Sequence, residues 1–164
     1  MSFVKPKELM ARMNTYHNQY MAQALTEAKD AKNRNEIPVG CIIVDYKTNK
    51  VIAATGNQTE EQHDPTAHAE IQAIRLASQK LKTPRLANCD LYVTLEPCPM
   101  CATAISFARI RRVYYGAYDP KGGGIDHGPH IYKQATCHHK PEVYGGIHEQ
   151  PCSDILKDFF KNKR

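Results

Sequence analysis

Two short segments of this chain fit together into one site. One is His68-Ala69-Glu70 and the other is Pro97-Cys98-Pro99-Met100-Cys101, with thirty positions separating His68 from Cys98. A histidine and a Cys-x-x-Cys pair supply three protein ligands to a zinc ion. Three ligands leave the fourth tetrahedral position open, which distinguishes a catalytic zinc site from a closed structural one. Glu70 stands two residues from the histidine, close enough to move the protons of a water at that open position. The combination points to zinc-assisted hydrolytic attack on an electrophilic carbon.

The spacings say how such a site is built. Cys98 and Cys101 are three apart, so on a helix they share a face and can chelate together. Pro97 precedes them, and proline is well tolerated at a helix start. Both thiolates then fall in a first turn, where the positive end of the helix dipole lowers a thiol pKa. His68 and Glu70 are two apart and point to nearly opposite sides of a mid-helix surface. They can flank one site only from a helix end. Asp64-Pro65-Thr66 looks like a cap region, followed by Ile71, Ile74 and Leu76 at helical spacing. Two helix N-termini are therefore expected to converge on one metal.

Plainer readings of the same residues exist. Cys98 and Cys101 could form a redox pair or part of a structural zinc site. A redox pair has no need of His68-x-Glu70, and a structural site wants a fourth sulfur or histidine with no carboxylate beside it. Glu70 could simply be a carboxylate favoured by the helix dipole. A second metal cluster is conceivable among His127, His130, Cys137, His138 and His139, although this spacing matches no standard template. Cys41 sits in an apolar strand pattern and reads as a core residue.

The pattern H-x-E followed by P-C-x-x-C resembles the zinc nucleobase deaminases. The similarity extends to Ile37-Pro38-Val39-Gly40, Gly56-Asn57, His63-Asp64-Pro65-Thr66-Ala67-His68-Ala69-Glu70 and Leu95-Glu96-Pro97-Cys98-Pro99-Met100-Cys101. Arg109-Ile110 and Tyr115-Gly116-Ala117-Tyr118-Asp119 continue it, so that it runs from about Tyr20 to Phe160. Within that superfamily the chain is similar to the bacterial tRNA-specific adenosine deaminases. The resemblance implies hydrolytic deamination of adenosine to inosine at the wobble position of a tRNA anticodon. It implies one zinc per chain on His68, Cys98 and Cys101, with Glu70 as the catalytic proton carrier. It further implies substrate contacts from Asn57, Asp119 and Lys121, a homodimer that binds the anticodon stem-loop across both chains, and a C-terminal helix whose Lys161, Lys163 and Arg164 approach phosphates. The chain departs from the family pattern after Asp119, where Gly122-Gly123-Gly124-Ile125-Asp126-His127-Gly128-Pro129 stands. Two other functions stay open: a free-base or nucleoside deaminase acting on guanine or cytosine, and a non-catalytic zinc-stabilised RNA-binding module.

At 164 residues, one deaminase domain over 1–164 with a core at about 15–162 is expected. With 41% hydrophobic and 24% charged residues, the chain is neither disordered nor a membrane protein. No apolar run approaches the roughly 20 residues that span a bilayer. Met1-Ser2-Phe3-Val4-Lys5-Pro6 lacks a signal core, so a cytoplasmic setting with reduced cysteines is expected. The net charge of +5 suits a polyanionic partner, with basic residues at Arg109, Arg111 and Arg112 and at the C-terminal end.

Periodicity gives a first helix over roughly Thr15 to Asn33. A hairpin follows from Val39–Val44 and Val51–Ala54 about a polar turn. A helix from near Ala67 to Lys80, a strand Leu91–Leu95, a helix ending near Arg109 and a strand Arg112–Ala117 come next. Residues 119–141 read as a long loop, of a length that is usually functional or mobile, Glu142–Tyr144 as a short fifth strand, and Ile155, Leu156, Phe159 and Phe160 as the core-facing stripe of a last helix. The alternation predicts an α/β fold, a three-layer α/β/α domain on a mixed sheet of about five strands. The resemblance implies that this is the cytidine-deaminase-like fold, with zinc at the carboxyl end of the central strand, where α/β sheets generally hold their ligands.

Overall fold

Odd and even residues of the central strands go to opposite faces, and both faces are apolar. The computed structural model, which describes residues 6–163, shows this in β1 (Gly40–Asp45). Cys41 and Ile43 join one buried cluster, and Ile42 and Val44 join the other. A strand reads this way only when helices cover both faces of its sheet.

The chain runs α1 (Pro6–Asn33), β1, β2 (Lys50–Gly56), α2 (Ala69–Leu81), β3 (Cys89–Leu95), α3 (Pro99–Phe107), β4 (Arg112–Ala117), β5 (Glu142–Tyr144) and α4 (Glu149–Lys161). A short 3₁₀ turn, Ile131–Lys133, interrupts the loop between β4 and β5. The strands form one sheet in the order β2-β1-β3-β4-β5. β1 is antiparallel to β2 and β3, whereas β3, β4 and β5 are mutually parallel. Helices α2 and α3 pack on one face through Ala69, Ala73, Ala77, Ala102 and Ile105. Helices α1 and α4 pack on the other through Met21, Ala24, Leu25 and Cys152. This is the expected three-layer α/β/α arrangement on five strands. Gly40 lets α1 approach closely, because a Cβ there would strike the backbone of Ala24 and Ala28.

Several boundaries differ from the periodicity reading. Helix α1 begins at Pro6 rather than Thr15. The added residues, such as Lys7, Glu8, Leu9, Met10 and Ala11, have high helix propensity but weak amphipathic period. Helix α2 begins at Ala69. The Asp64 side chain is used two residues later, accepting the Thr66 N–H at 2.8 Å, so it shapes a turn instead of capping the helix. Of the C-terminal stripe, Phe159 is buried but Phe160 is 48% exposed. Neighbouring positions on a helix are about 100° apart, so the two rings cannot both face the sheet. Met1–Lys5 and Arg164, which entered the sequence reading, lie outside the described residues. No described helix is long and apolar enough to cross a membrane.

Candidate active site

The parallel strands β3 and β4 end side by side, and their continuations, Glu96-Pro97-Cys98 and Tyr118-Asp119, form one rim. Helix α2 arrives from the β1–β2 hairpin and presents its N-terminus there. His68 is the N-cap of α2 and Cys98 the N-cap of α3, both in extended backbone, and neither side chain caps its own helix. Pro99 holds the first helical position, so Cys98 sits one step outside the turn in which it was expected, while Cys101 is inside it. Two capping positions that do not cap have side chains free for another partner.

That partner fits a metal. The donor atoms of His68, Cys98 and Cys101 lie within 4.8 Å of one another. His68 Nδ1 is 3.6 Å from Cys98 Sγ and 3.5 Å from Cys101 Sγ. Tetrahedral zinc with Zn–S of about 2.3 Å and Zn–N of about 2.0–2.1 Å requires an N···S edge of about 3.6 Å. Hydrogen bonding with Cys101, joined by the His68 ring, draws the Cys98 thiol down to about 4 against the opposing effect of burial. The same hydrogen bond, with burial, pushes the Cys101 thiol up, so within the pair Cys98 is the thiolate and Cys101 keeps the proton that a bound metal would displace. Among the described residues no second group of histidine, cysteine and carboxylate side chains is placed to hold a metal. The candidate cluster of the 127–139 segment is spent elsewhere. His127 Nδ1 lies 2.8 Å from Glu96 Oε2, His130 Nδ1 lies 3.1 Å from the Ile125 carbonyl, and His139 Nε2 lies 2.6 Å from the Ile110 carbonyl.

Glu70, in the first turn of α2, is 4% exposed. Burial pushes its carboxyl up to about 7, only partly offset by a backbone hydrogen bond and by the His68 ring. A carboxyl poised near neutrality can take a proton and return it. His68, Glu70, Cys98, Asn57 and Asp119 line one cleft of about 430 Å³. Lys121 does not reach it. It lines an adjoining groove of about 770 Å³ with Tyr118, Lys157, Phe160 and Lys161. Ile37, Leu95, Asp119 and Gly122 border both spaces.

Two residues of this site were given no role from sequence, and both are buried carboxylates. Glu36 accepts the Asn57 amide, the Thr59 hydroxyl and the Glu61 N–H. Glu96 accepts from the loop after β4. Burial acts to raise its carboxyl, but the backbone N–H groups of Asp119, Asp126 and His127 and the His127 ring outweigh burial and hold it below its ordinary value. The signal available in advance was a charge directly after an apolar strand. The basic run lies at the far end of the sheet. Arg111 forks onto Asp90 at 2.8 and 2.6 Å and stacks on Tyr46, and Arg112 pairs with Glu142 at 2.8 Å.

Residues 14–117 match the family model described as the cytidine and deoxycytidylate deaminase zinc-binding region. The chain belongs to this family. Its zinc-binding, hydrolytic deaminase character and α/β fold follow from that membership. A tRNA-specific adenosine deaminase of Agrobacterium fabrum (strain C58) is 54% identical over 145 residues, covering 88% of this chain and 94% of that protein. A solved structure from a study of A-to-I editing by tRNA:A34 deaminases at the wobble position superposes with a TM-score of 0.82. It is 54% identical and covers 84% of this chain and 99% of its own. A guanine deaminase from Bacillus subtilis matches with a TM-score of 0.59 and 40% identity, over 62% of this chain and 64% of its own.

Proposed function

We propose that this deaminase converts adenosine to inosine at the wobble position of a tRNA anticodon. The relatives named above support the substrate. The observation that carries the reading is the continuity of the 430 Å³ cleft with the 770 Å³ groove. A free base needs the cleft alone. The groove adds two aromatic faces, Tyr118 at 42% and Phe160 at 48% exposure, and three lysines, the combination that stacks flanking bases and neutralises phosphates of a single strand.

His68, Cys98 and Cys101 hold the zinc. When bound, zinc supplies the Lewis acidity that makes water a nucleophile near neutral pH. Glu70 takes the first proton from the attacking water as oxygen bonds to carbon six of adenine. It passes that proton to the ring nitrogen, then carries the proton of the hydroxyl newly bonded to carbon six to the departing amine as the C–N bond breaks, so that adenosine and water give inosine and ammonia. The Asn57 amide nitrogen donates to Glu36 and to the Thr59 hydroxyl oxygen, which fixes the amide and leaves its carbonyl oxygen for the base. Asp119 borders cleft and groove and contacts the same nucleotide, and Lys121 meets the strand beyond it. An unpaired anticodon loop allows the base to be splayed into the cleft without breaking a duplex.

The enzyme acts as a homodimer in the cytoplasm, where its tRNA substrate is. Phe107, at the end of α3 and 76% exposed, offers apolar area for a second copy. Sedimentation should find two chains. Incubation with total tRNA, followed by sequencing, should show inosine replacing adenosine at the wobble position. Turnover of free guanine with no inosine in any tRNA would assign the chain to the small-molecule branch. No turnover of any substrate would leave a zinc-stabilised RNA-binding module.

A further inference from the structure

The loop that departs from the family pattern is bound to the ligand-bearing segment through one side chain. Glu96 lies two residues before Cys98 and its side chain has no exposed surface. Its Oε2 accepts the Asp119 N–H at 3.0 Å and lies 2.8 Å from His127 Nδ1. Its Oε1 accepts the N–H groups of Ile125, Asp126 and His127 at 3.3, 2.9 and 3.0 Å. Both ends of the 119–127 loop therefore close on one carboxylate. The glycines between them are dictated by this closure. A Cβ on Gly123 would strike Glu96 Oε1, and one on Gly124 would stand 2.5 Å from the Pro99 nitrogen at the start of α3. The Gly124 N–H donates to the Pro97 carbonyl at 2.8 Å, a second tie to the same segment. Asp126 is held in turn by the hydroxyl of the buried Tyr115.

We propose that Glu96 is a positioning residue for the reaction. It sets the wall formed by Asp119 and Gly122 at a fixed distance from Cys98, and the Gly122–His127 loop is thereby a specificity element of the cleft. The inference rests on the deaminase reading given above and extends it to a cleft residue whose side chain is fully buried and is not one of the metal ligands. The physical case is rigidity. Five donors on one buried carboxylate cannot be replaced by water without opening the loop, and charge-assisted hydrogen bonds are the strong ones. Because Asp119 and Gly122 border both cleft and groove, a displaced loop alters how a base is seated while leaving the ligands of α2 and α3 in place.

The test is Glu96→Gln in the full-length zinc enzyme. The amide keeps the shape but turns an N–H toward donors. We expect about one zinc per chain, as in the wild type. KM for an anticodon stem-loop should rise about tenfold, the scale of one buried donor left unpaired, with kcat moving far less. The Asp126 and His127 amides should lose hydrogen-exchange protection. Gly123→Ala approaches the same contact from the loop side and should shift KM in the same direction; it serves if Glu96→Gln does not fold. Unchanged KM in a folded variant, or equal loss of kcat and zinc, would overturn the proposal. The substrate reading fails separately. If wild-type enzyme turns over guanine instead of the stem-loop, the KM split is read on guanine, and the exchange of the two amides decides the clasp in either case.

Discussion

The Asn57 amide donates to the Glu36 carboxylate at 3.2 Å, and both side chains are buried, at 5% and 0% exposure. Asn57 lines the cleft and Glu36 does not, so the carboxylate acts by fixing the orientation of the amide, together with the Thr59 hydroxyl oxygen that accepts from it at 3.2 Å. It also holds the Thr59 hydroxyl at 3.3 Å and the Glu61 N–H at 2.7 Å.

Glu36→Ala therefore removes the acceptor of three donors, of which the Asn57 amide keeps the Thr59 hydroxyl oxygen at 3.2 Å. The cost should be on the order of 3 kcal/mol, because a buried polar group left without a partner loses its full desolvation energy. For a domain of this size that lowers Tm by roughly 10 °C. Calorimetry of the zinc-loaded variant measures it. A Tm equal to that of the wild type would mean the three donors are satisfied without Glu36.

Glu70→Gln separates the proton carrier from the metal. The side chain is almost isosteric, and the three ligand residues are untouched. Zinc content should stay near one per chain while the rate falls by about 10²–10⁴, the range of general acid–base contributions. Elemental analysis beside single-turnover kinetics gives both numbers. Near-wild-type turnover would remove Glu70 from the mechanism.

Cys101 is fully buried, and its sulfur meets a histidine from a different helix. A metal there ties α2 to α3. Cys101→Ala should lose zinc, and stripping zinc from the wild type with a chelator should lower Tm and restore it on re-addition, because metal binding to a folded site is folding free energy. Full zinc occupancy in both Cys98→Ala and Cys101→Ala would be incompatible with the proposed ligand set.

How much of this was legible in the sequence depended on whether a residue's partner was near in sequence or chemically unmistakable. β4, Arg112–Ala117, was readable to the residue because its β-rich run is bounded sharply on both sides. The fold class followed from the alternation of elements. The approach of His68 to Cys98 and Cys101 was legible because three such ligands have little other reason to coexist with Glu70. Glu96 was not, since its partners are 23 to 31 residues away and are mostly backbone N–H groups, which leave no trace in composition. The arginines misled for the opposite reason. Their charge is visible, but the carboxylates that occupy them, Asp90 and Glu142, come from neighbouring strands. Phe160 looked like core because it carries the residue type of core. Only the helix phase puts its ring into the groove instead.

That groove supplies the remaining prediction. Lys121, Lys157 and Lys161 line it, whereas Lys163 sits 4.8 Å above the Phe159 ring and faces a neighbouring hollow. Of the C-terminal lysines, Lys161 lines the groove beside Lys121 and Lys157, and Lys163 lies outside it. If the groove carries the strand flanking the target base, each lysine neutralises a phosphate and releases a counterion. Log affinity for the anticodon stem-loop then falls linearly in log salt, by about 0.7 per contact on a single strand. Replacing all three with alanine should flatten the slope by about 2 and weaken binding most at low salt. Arg111→Ala should leave the slope alone, since that guanidinium is already forked onto Asp90 at the far end of the sheet. Zinc content should be unchanged throughout. Titration of labelled stem-loop at several salt concentrations reads all of this in one experiment. A slope insensitive to the three lysines and sensitive to Arg111 would place the RNA on the opposite end of the sheet, away from the cleft.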